Sequence, residues 1–276
     1  MRMPNTKTMV VPLFAILLVH IPASPSHAGP IPDKNLEAAV RAALHLDDKV
    51  DLGDDKLKNL YTLEASNKEI RDLTGLEKCP NLASLRLDKG QVSDLKPLKD
   101  LANLQSLDLA GNKIEDITPL AGLVKLQYLN LANNQVAKLE PLAGLAALSA
   151  LDLSGNQVAE LGPLGNLTRL ASLYLARNQI ADIGPISKIS RLVTLNLSDN
   201  RIEQVAPLAK LKDLNLALVE RNKIGDLTPL VEAWKVGSDG TKPAFLRLYL
   251  AGNPLSDAAK GEQLKALRAA GVRIES

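Results

Sequence analysis

The chain has 276 residues, is 46% hydrophobic but only 3% aromatic, and carries 33 basic against 31 acidic side chains. The two surplus cations, Arg2 and Lys7, sit in the first 28 residues, so the remaining 248 balance at 31 of each sign. Without a basic excess or a clustered Lys/Arg run, nucleic-acid binding and membrane-surface attraction lose their main warrant, and a single cysteine, Cys79, excludes an intramolecular disulfide.

Residues 1–28 read as a secretory signal, with Arg2 and Lys7, an apolar run over 9–21, and Ser26-His27-Ala28 as a small-residue site. Cleavage after Ala28 is expected. The competing reading, an uncleaved membrane anchor, is weakened because Pro12 and His20 break the run and it is shorter than the ~20 residues that span a bilayer. No Cys follows it, which excludes a lipoprotein anchor, and no later segment is suited to crossing a membrane.

Over 33–44, Leu36, Ala39, Val40, Ala43 and Leu44 follow helical spacing behind Pro32 and Asp33, predicting an N-terminal cap helix. The acidic stretch Asp47, Asp48, Asp51, Asp54 and Asp55 invites a calcium reading. Placing Gly53 at the turn of an EF-hand loop puts Val50 and Leu52 where oxygen ligands belong, so a solvated linker is the better account.

From Leu60 the chain becomes periodic. Units starting at Leu104, Leu126, Leu148, Leu170 and Leu192, and more loosely at Leu60, Leu82, Leu214 and Phe245, spell Leu-x-x-Leu-x-Leu-x-x-Asn, as in Leu104, Leu107, Leu109 and Asn112. The sixteenth position is proline in Pro97, Pro119, Pro141, Pro163, Pro185, Pro207 and Pro229, 22 residues apart. Leu-x-Leu alternates like a half-buried strand. Each unit has seven apolar core positions, worth roughly 1.5–3 kcal/mol each when buried, against roughly 1–2 kcal/mol per residue of backbone ordering. A unit alone therefore cannot fold, and stacking makes stability a sum of neighbour interfaces. Cys79 occupies the place of Leu101, Leu123 and Leu145, a small buried hydrophobe rather than a nucleophile.

After Leu230 the period stretches by nine residues, an insertion at about 232–244 holding Trp234 and the Gly-rich run Gly237-Ser238-Asp239-Gly240-Thr241-Lys242-Pro243. The run lacks the strand-loop-helix setting and Gly-Lys-Ser/Thr ending of a phosphate loop. Trp234 reads either as a binding aromatic or as filler beneath Ala217, where other units place Leu; dense interiors favour the filler. Over 257–270, Leu264 and Leu267 share a helical face with Gly271 placed to end it, predicting a C-terminal cap helix. Val272, Arg273 and Ile274 then suit a last short strand.

The periodic segment, 60–253, resembles a leucine-rich repeat array. Its 22-residue unit and its proline resemble the bacterial internalin-like subclass. The resemblance implies an α/β fold, a right-handed leucine-rich repeat solenoid with one short parallel strand per repeat on the concave face. Turns of 3₁₀ or irregular type would fill the convex face, with helical caps at both ends. It also implies a structural ladder of inward amides, here Asn112, Asn134, Asn156, Asn178, Asn200, Asn222 and Asn253. An amide both donates and accepts, which suits backbone groups left unpaired at a turn. The first two units depart, with Lys68 and Gly90 at the Asn position and Gly75 at the first Pro position, so the ladder is expected to fray there. The expected organisation is a signal at 1–28, cap and linker at 29–59, array at 60–255 and C-terminal cap at 256–276.

Chemistry has little to work with. His45 is the one histidine beyond residue 28, no strained Gly-x-Ser-x-Gly turn supports a nucleophile, and His/Cys metal clusters are absent from the sequence. Asp94, Asp116, Asp182 and Asp226 lie in register between units and suit solvated or capping roles. No catalytic residue, metal or cofactor is assigned.

Function should then reside in outward strand residues tiling the concave face. Middle units present Ser106, Asp108, Ala110, Ala150, Asp152 and Ser154. The candidate partner-binding residues, concentrated toward the C-terminus, are Tyr128, Tyr174, Arg177, Leu216, Leu218, Arg221, Arg247 and Tyr249. Aromatic, Arg and exposed Leu together suit a protein-binding hot spot. The competing readings are ordinary strand residues, a Tyr-lined groove for a glycan, and a structural envelope protein. The expectation is an exported non-enzymatic binding protein, periplasmic or extracellular, whose partner is a protein or, as the alternative, a glycan. Nothing in the sequence sets an oligomeric state.

Overall fold

The computed structural model describes residues 29–234 and 246–275. The Gly-rich run over 237–243 and Phe245 lie outside the described residues, as does the signal over 1–28. Ten three-residue strands form one sheet: β1 (Thr62–Glu64), β2 (Ser84–Arg86), β3 (Ser106–Asp108), β4 (Tyr128–Asn130) and β5 (Ala150–Asp152). It continues through β6 (Ser172–Tyr174), β7 (Thr194–Asn196), β8 (Leu216–Leu218), β9 (Arg247–Tyr249) and β10 (Arg273–Glu275). Sheet order equals chain order, every pairing is parallel, and equivalent leucines align, as in Leu107↔Leu129. The fold is an α/β leucine-rich repeat solenoid, with units 1 to 9 starting at Leu60, Leu82 and so on.

From β1 to β9 each strand's middle residue, such as Leu129, Leu151 or Leu173, is fully buried while its two neighbours face outward; Ile274 of the terminal β10 is only partly buried. On the opposite side the chain returns through short 3₁₀ turns, from Leu76–Lys78 to Ala206–Lys210. Proline stands in the first residues of the turns from Lys96–Leu98 onward, where its fixed φ fits and its missing N–H costs nothing. The leucines from strands and turns interlock in one continuous core. In unit 8 the 3₁₀ turn becomes a helix, α3 (Thr228–Trp234), and Trp234 at its end is 2% exposed, which makes it core filling rather than a surface aromatic.

At the N-terminus, α1 (Lys34–Ala43) buries Leu36, Ala39 and Val40. Ala43 is exposed and Leu44 is only partly buried, so the apolar stripe is narrower than the spacing alone implies. Asp33 does two jobs. One carboxylate oxygen caps α1 by accepting from Asn35 and Leu36 amides, and the other accepts from Arg71 and Asp72 amides in unit 1. Burial pushes this carboxyl up, but the four amide donors outweigh it and hold it below the usual Asp range. The acidic stretch is not all linker: Asp54–Leu57 forms a helical turn, α2, which buries Leu57. Arg41 pairs with Glu37 and donates to the carbonyls of Asp47 and Val50, tying the stretch to the cap.

Two of the departures in units 1 and 2, Gly75 and Gly90, are packing requirements. A Cβ on Gly75 would lie 2.5 Å from the Pro30 carbonyl oxygen, and one on Gly90 would lie 2.7 Å from Asn112 Oδ1. The amide ladder begins at Asn112, so units 1 and 2 go without it as their sequence implies, although β1 and β2 remain paired in full register. Cys79 is fully buried, and burial pushes its thiol up to about 12. At the C-terminus a π-helical turn, Ala259–Gln263, leads into α4 (Leu264–Ala269). Gln263 accepts from the Leu227 amide and donates to Asp226 and Thr228, fastening this cap to unit 8. Gly271, at φ 93°, ends the helix, and the last strand falls one residue later than the spacing suggests.

Candidate binding surface

Each ladder asparagine joins two units. Asn156 donates to the carbonyls of Leu153 in its own unit and Leu131 in the preceding one, both at 2.9 Å, and accepts from the Val136 amide at 2.9 Å. Asn112, Asn134, Asn178, Asn200 and Asn222 repeat this pattern. Asn253 does the same across the insertion, donating to Val219 and accepting from Ile224. These side chains are inward and occupied, and they leave the concave surface to other residues.

One position before each Asn, the backbone turns left-handed in every unit. The residues are Asn67, Lys89, Gly111, Asn133, Gly155, Arg177, Asp199, Arg221 and Gly252, with φ between 48° and 75°. Sequence reasoning missed this row, although the recurrence of Gly, Asn and Asp there, the residues that tolerate this conformation, was the available signal. Arg177 and Arg221 hold it at some steric cost.

The concave face has two kinds of strand. In β3, β4, β5 and β7 the last residue is Asp108, Asn130, Asp152 or Asn196, and its Oδ1 accepts from the backbone amide two residues on, at 2.8 to 3.1 Å. These polar groups serve their own backbone. In β6, β8 and β9 that place belongs to Tyr174, Leu218 and Tyr249, which project without such a bond. Register sets Asn196 beside both Tyr174 and Leu218, and Leu218 beside Tyr249.

The predicted residues divide accordingly. Tyr174, Arg177, Leu218 and Arg221 line one open concavity of about 490 Å³ across units 4 to 8, together with Asn196 and Ser198, which the sequence did not single out. Leu216, Arg247 and Tyr249 continue the surface on β8 and β9. Tyr128, 38% exposed, stands apart on β4 between Ser106 and Ala150. Burial raises its hydroxyl above the usual tyrosine range, reinforced by Asp108. Leu216 and Leu218 are half-buried rather than exposed, since Arg247 and Tyr249 are their register partners and cover them.

The cations are not all free. Arg221 makes a two-bond pair with Asp199 at 2.6 and 2.8 Å, which holds the Asp199 carboxyl below its usual range. Arg247 reaches Asn215 at 3.4 Å. Arg177 passes over Gly155, which has no side chain, to donate to the neutral amide of Asn133 at 3.3 Å. Asp94, Asp116, Asp182 and Asp226 cap the amides two residues ahead on the other flank. Among the described residues, no group of three or more His, Cys, Asp or Glu side chains could hold a metal ion, and no helix is long and apolar enough to cross a membrane.

A family model of leucine-rich repeats in two copies matches residues 102–144 and 147–189. No curated protein matches the chain in sequence. Among solved structures, the chain is similar to internalin C2 from Listeria monocytogenes, with 32% identity and a TM-score of 0.71 over 82% of this chain and 95% of that one. It is also similar to an internalin F structure from the same organism, at 26% identity and a TM-score of 0.70 over 90% of this chain and 76% of that one. A leucine-rich repeat protein of Leptospira interrogans aligns at 25% identity and a TM-score of 0.68, over 81% and 62% of the two chains. Leucine-rich repeat arrays are scaffolds that bind through their extended concave surfaces. With the same parallel solenoid and 32% identity across almost all of the internalin C2 structure, the chain belongs to the internalin-like leucine-rich repeat family.

Proposed function

We propose that this chain is an exported, non-enzymatic binding protein that recognises another protein through the C-terminal half of its concave sheet. The observation that carries the reading is the concavity of about 490 Å³, where Tyr174, Leu218 and two arginines replace the self-capped polar residues of the earlier strands. Aromatic and Arg side chains, set among polar neighbours on a rigid sheet, are the usual anchors of protein interfaces. Leu216, Arg247 and Tyr249 extend the contact area, and Tyr128 marks its outer limit. Export follows from the signal pattern over 1–28, with cleavage after Ala28. The folded protein then comprises the cap at 29–59, the array at 60–255 and the C-terminal cap.

The test is affinity capture from envelope and culture-supernatant fractions, using the chain from Gly29 as bait beside a variant with Tyr174, Arg177, Leu218 and Tyr249 changed to Ala. A partner retained by the wild type and lost by an equally folded variant is the expected result. Equal retention by both would remove the concave face from recognition, and saturable binding of oligosaccharides would favour a glycan ligand.

A further inference from the structure

Five cations scattered along the sequence meet on one flank of the solenoid. Arg169 closes unit 5, Lys188 and Arg191 lie at the end of unit 6, and Lys210 and Lys212 at the end of unit 7, where the chain leaves its 3₁₀ turns and heads into β6, β7 and β8. Equivalent residues of adjacent units stack on this flank, as Lys125 shows by donating to Asn103, 22 residues earlier, at 2.8 Å. The stem of Lys188 lies back over unit 5, where a Cβ on Gly165 would meet its Cδ at 3.6 Å. With neighbouring strands ~4.8 Å apart, the three units gather these charges within on the order of 10 Å along the array.

All five side chains are exposed, and none pairs with a carboxylate among the described residues. Elsewhere Arg41, Arg86 and Arg221 are each paired. The patch has clear limits. Asp213, next to Lys212, and Glu232, on the α3 helix that packs against the turn of Lys210, bound it on one side. On the other side unit 4 places Gly144, Ala146 and Ala147 at the equivalent positions. Between the cations, Asn166, Thr168 and Ser190 are exposed and their side chains make no hydrogen bond among the described residues.

The composition of the patch decides its ligand. It holds no aromatic residue, and Val193 at its edge is its one large exposed apolar side chain among the described residues. Protein hot spots and single-stranded nucleic acids draw on aromatic anchors, and helices that lie in a membrane surface draw on an apolar face. Charge combined with uncommitted hydroxyl and amide groups remains. We propose that this flank binds an acidic polysaccharide, a linear sugar polymer bearing carboxylate or sulfate groups. Its anions meet the five cations, and its hydroxyls meet Asn166, Thr168 and Ser190. Arg169 with Arg191, and Lys188 with Lys210, form two rows along the array, which suits an extended polymer with regularly spaced charges. The site is independent of the concave-face reading, and both surfaces can be occupied at once.

The experiment measures binding of fluorescently labelled polygalacturonate and dextran sulfate to the chain from Gly29 by anisotropy, beside neutral dextran, polyglutamate and anionic phospholipid vesicles. Both acidic polysaccharides should bind saturably and more weakly as salt rises, and dextran should not bind. Changing Arg169, Lys188 and Arg191 to Gln should weaken binding roughly a hundredfold without changing the melting temperature. The same charge removed from the opposite flank, by changing Lys113, Lys138 and Lys223 to Gln, should change it by no more than about twofold. The proposal is overturned by equal loss in both variants, by polyglutamate binding as tightly as polygalacturonate, by binding to vesicles alone, or by no binding of either acidic polysaccharide. The fourfold alanine variant of the concave face should keep polysaccharide binding; its loss there would overturn the flank assignment. If polysaccharide binding fails while protein capture still depends on the concave residues, the flank assignment falls and the concave-face reading stands.

Discussion

The central and C-terminal strands share one backbone and differ in what their last residue does. In β3, β4 and β5, and again in β7 between the outward-facing strands, Asp108, Asn130, Asp152 and Asn196 turn back onto their own chain. In β6, β8 and β9, Tyr174, Leu218 and Tyr249 face outward instead, and the amide two residues on is released from that duty. The repeat is thus self-sufficient where it is regular, and under the proposed function the strands that stop satisfying themselves are the ones that meet the partner.

The comparison breaks most completely if the ladder beneath both regions is removed. Asn156→Ala deletes bonds to Leu131, Leu153 and Val136 at once and leaves buried backbone groups unpaired. A loss of roughly 3 kcal/mol or more is expected in urea unfolding, and a loss below about 1 kcal/mol would mean that water substitutes for the amide. A second substitution, Asp33→Ala, acts on the cap alone. It removes a helix cap worth about 1 kcal/mol together with the bonds to Arg71 and Asp72. Because the folded carboxyl lies below its unfolded value, its contribution is present above the unfolded Asp range and disappears as pH falls through the folded value. Urea unfolding between about pH 2 and pH 6 should therefore show a smaller acid-induced loss in Asp33→Ala than in the wild type; parallel curves would contradict the assignment. The smallest effect sharpens the contrast directly. Tyr174→Asn installs the self-capping residue in β6 and should leave stability unchanged or raise it by up to about 1 kcal/mol, while partner capture falls. If capture persists, β6 is not part of the interface.

Period and strand placement were legible because each unit repeats the same physics: alternating leucines, an amide, a proline. Asn112 and its successors were legible for the same reason. What escaped was set by neighbours rather than by the unit itself. Gly75 and Gly90 looked like lapses in the pattern, and only the approach of Pro30 and Asn112 explains them. Ser198 was not singled out at all, since a buried hydroxyl without a partner is set by its surroundings and not by the repeat pattern. Leu216 and Leu218 read as exposed because register with Arg247 and Tyr249 cannot be seen along one strand. Helix α2 was hidden by its charges, with only Leu52 and Leu57 to signal an inward face.

Every ladder amide reaches toward the preceding unit, never the following one: Asn134 serves Ile114 and Leu109, and Asn253 serves Ile224 and Val219. The array therefore has an arrow. Each repeat's turn is completed by the amide of its successor, so trimming from the C-terminal end leaves buried groups such as the Ile114 N–H and the Leu109 carbonyl without their side-chain partner, while trimming from the other end frees the ladder amide together with the strand's own N–H groups, such as those of Gln127 and Gln135. Shortened versions of this scaffold should accordingly keep, behind whichever repeat becomes the last, the asparagine of the next unit or a cap that replaces it.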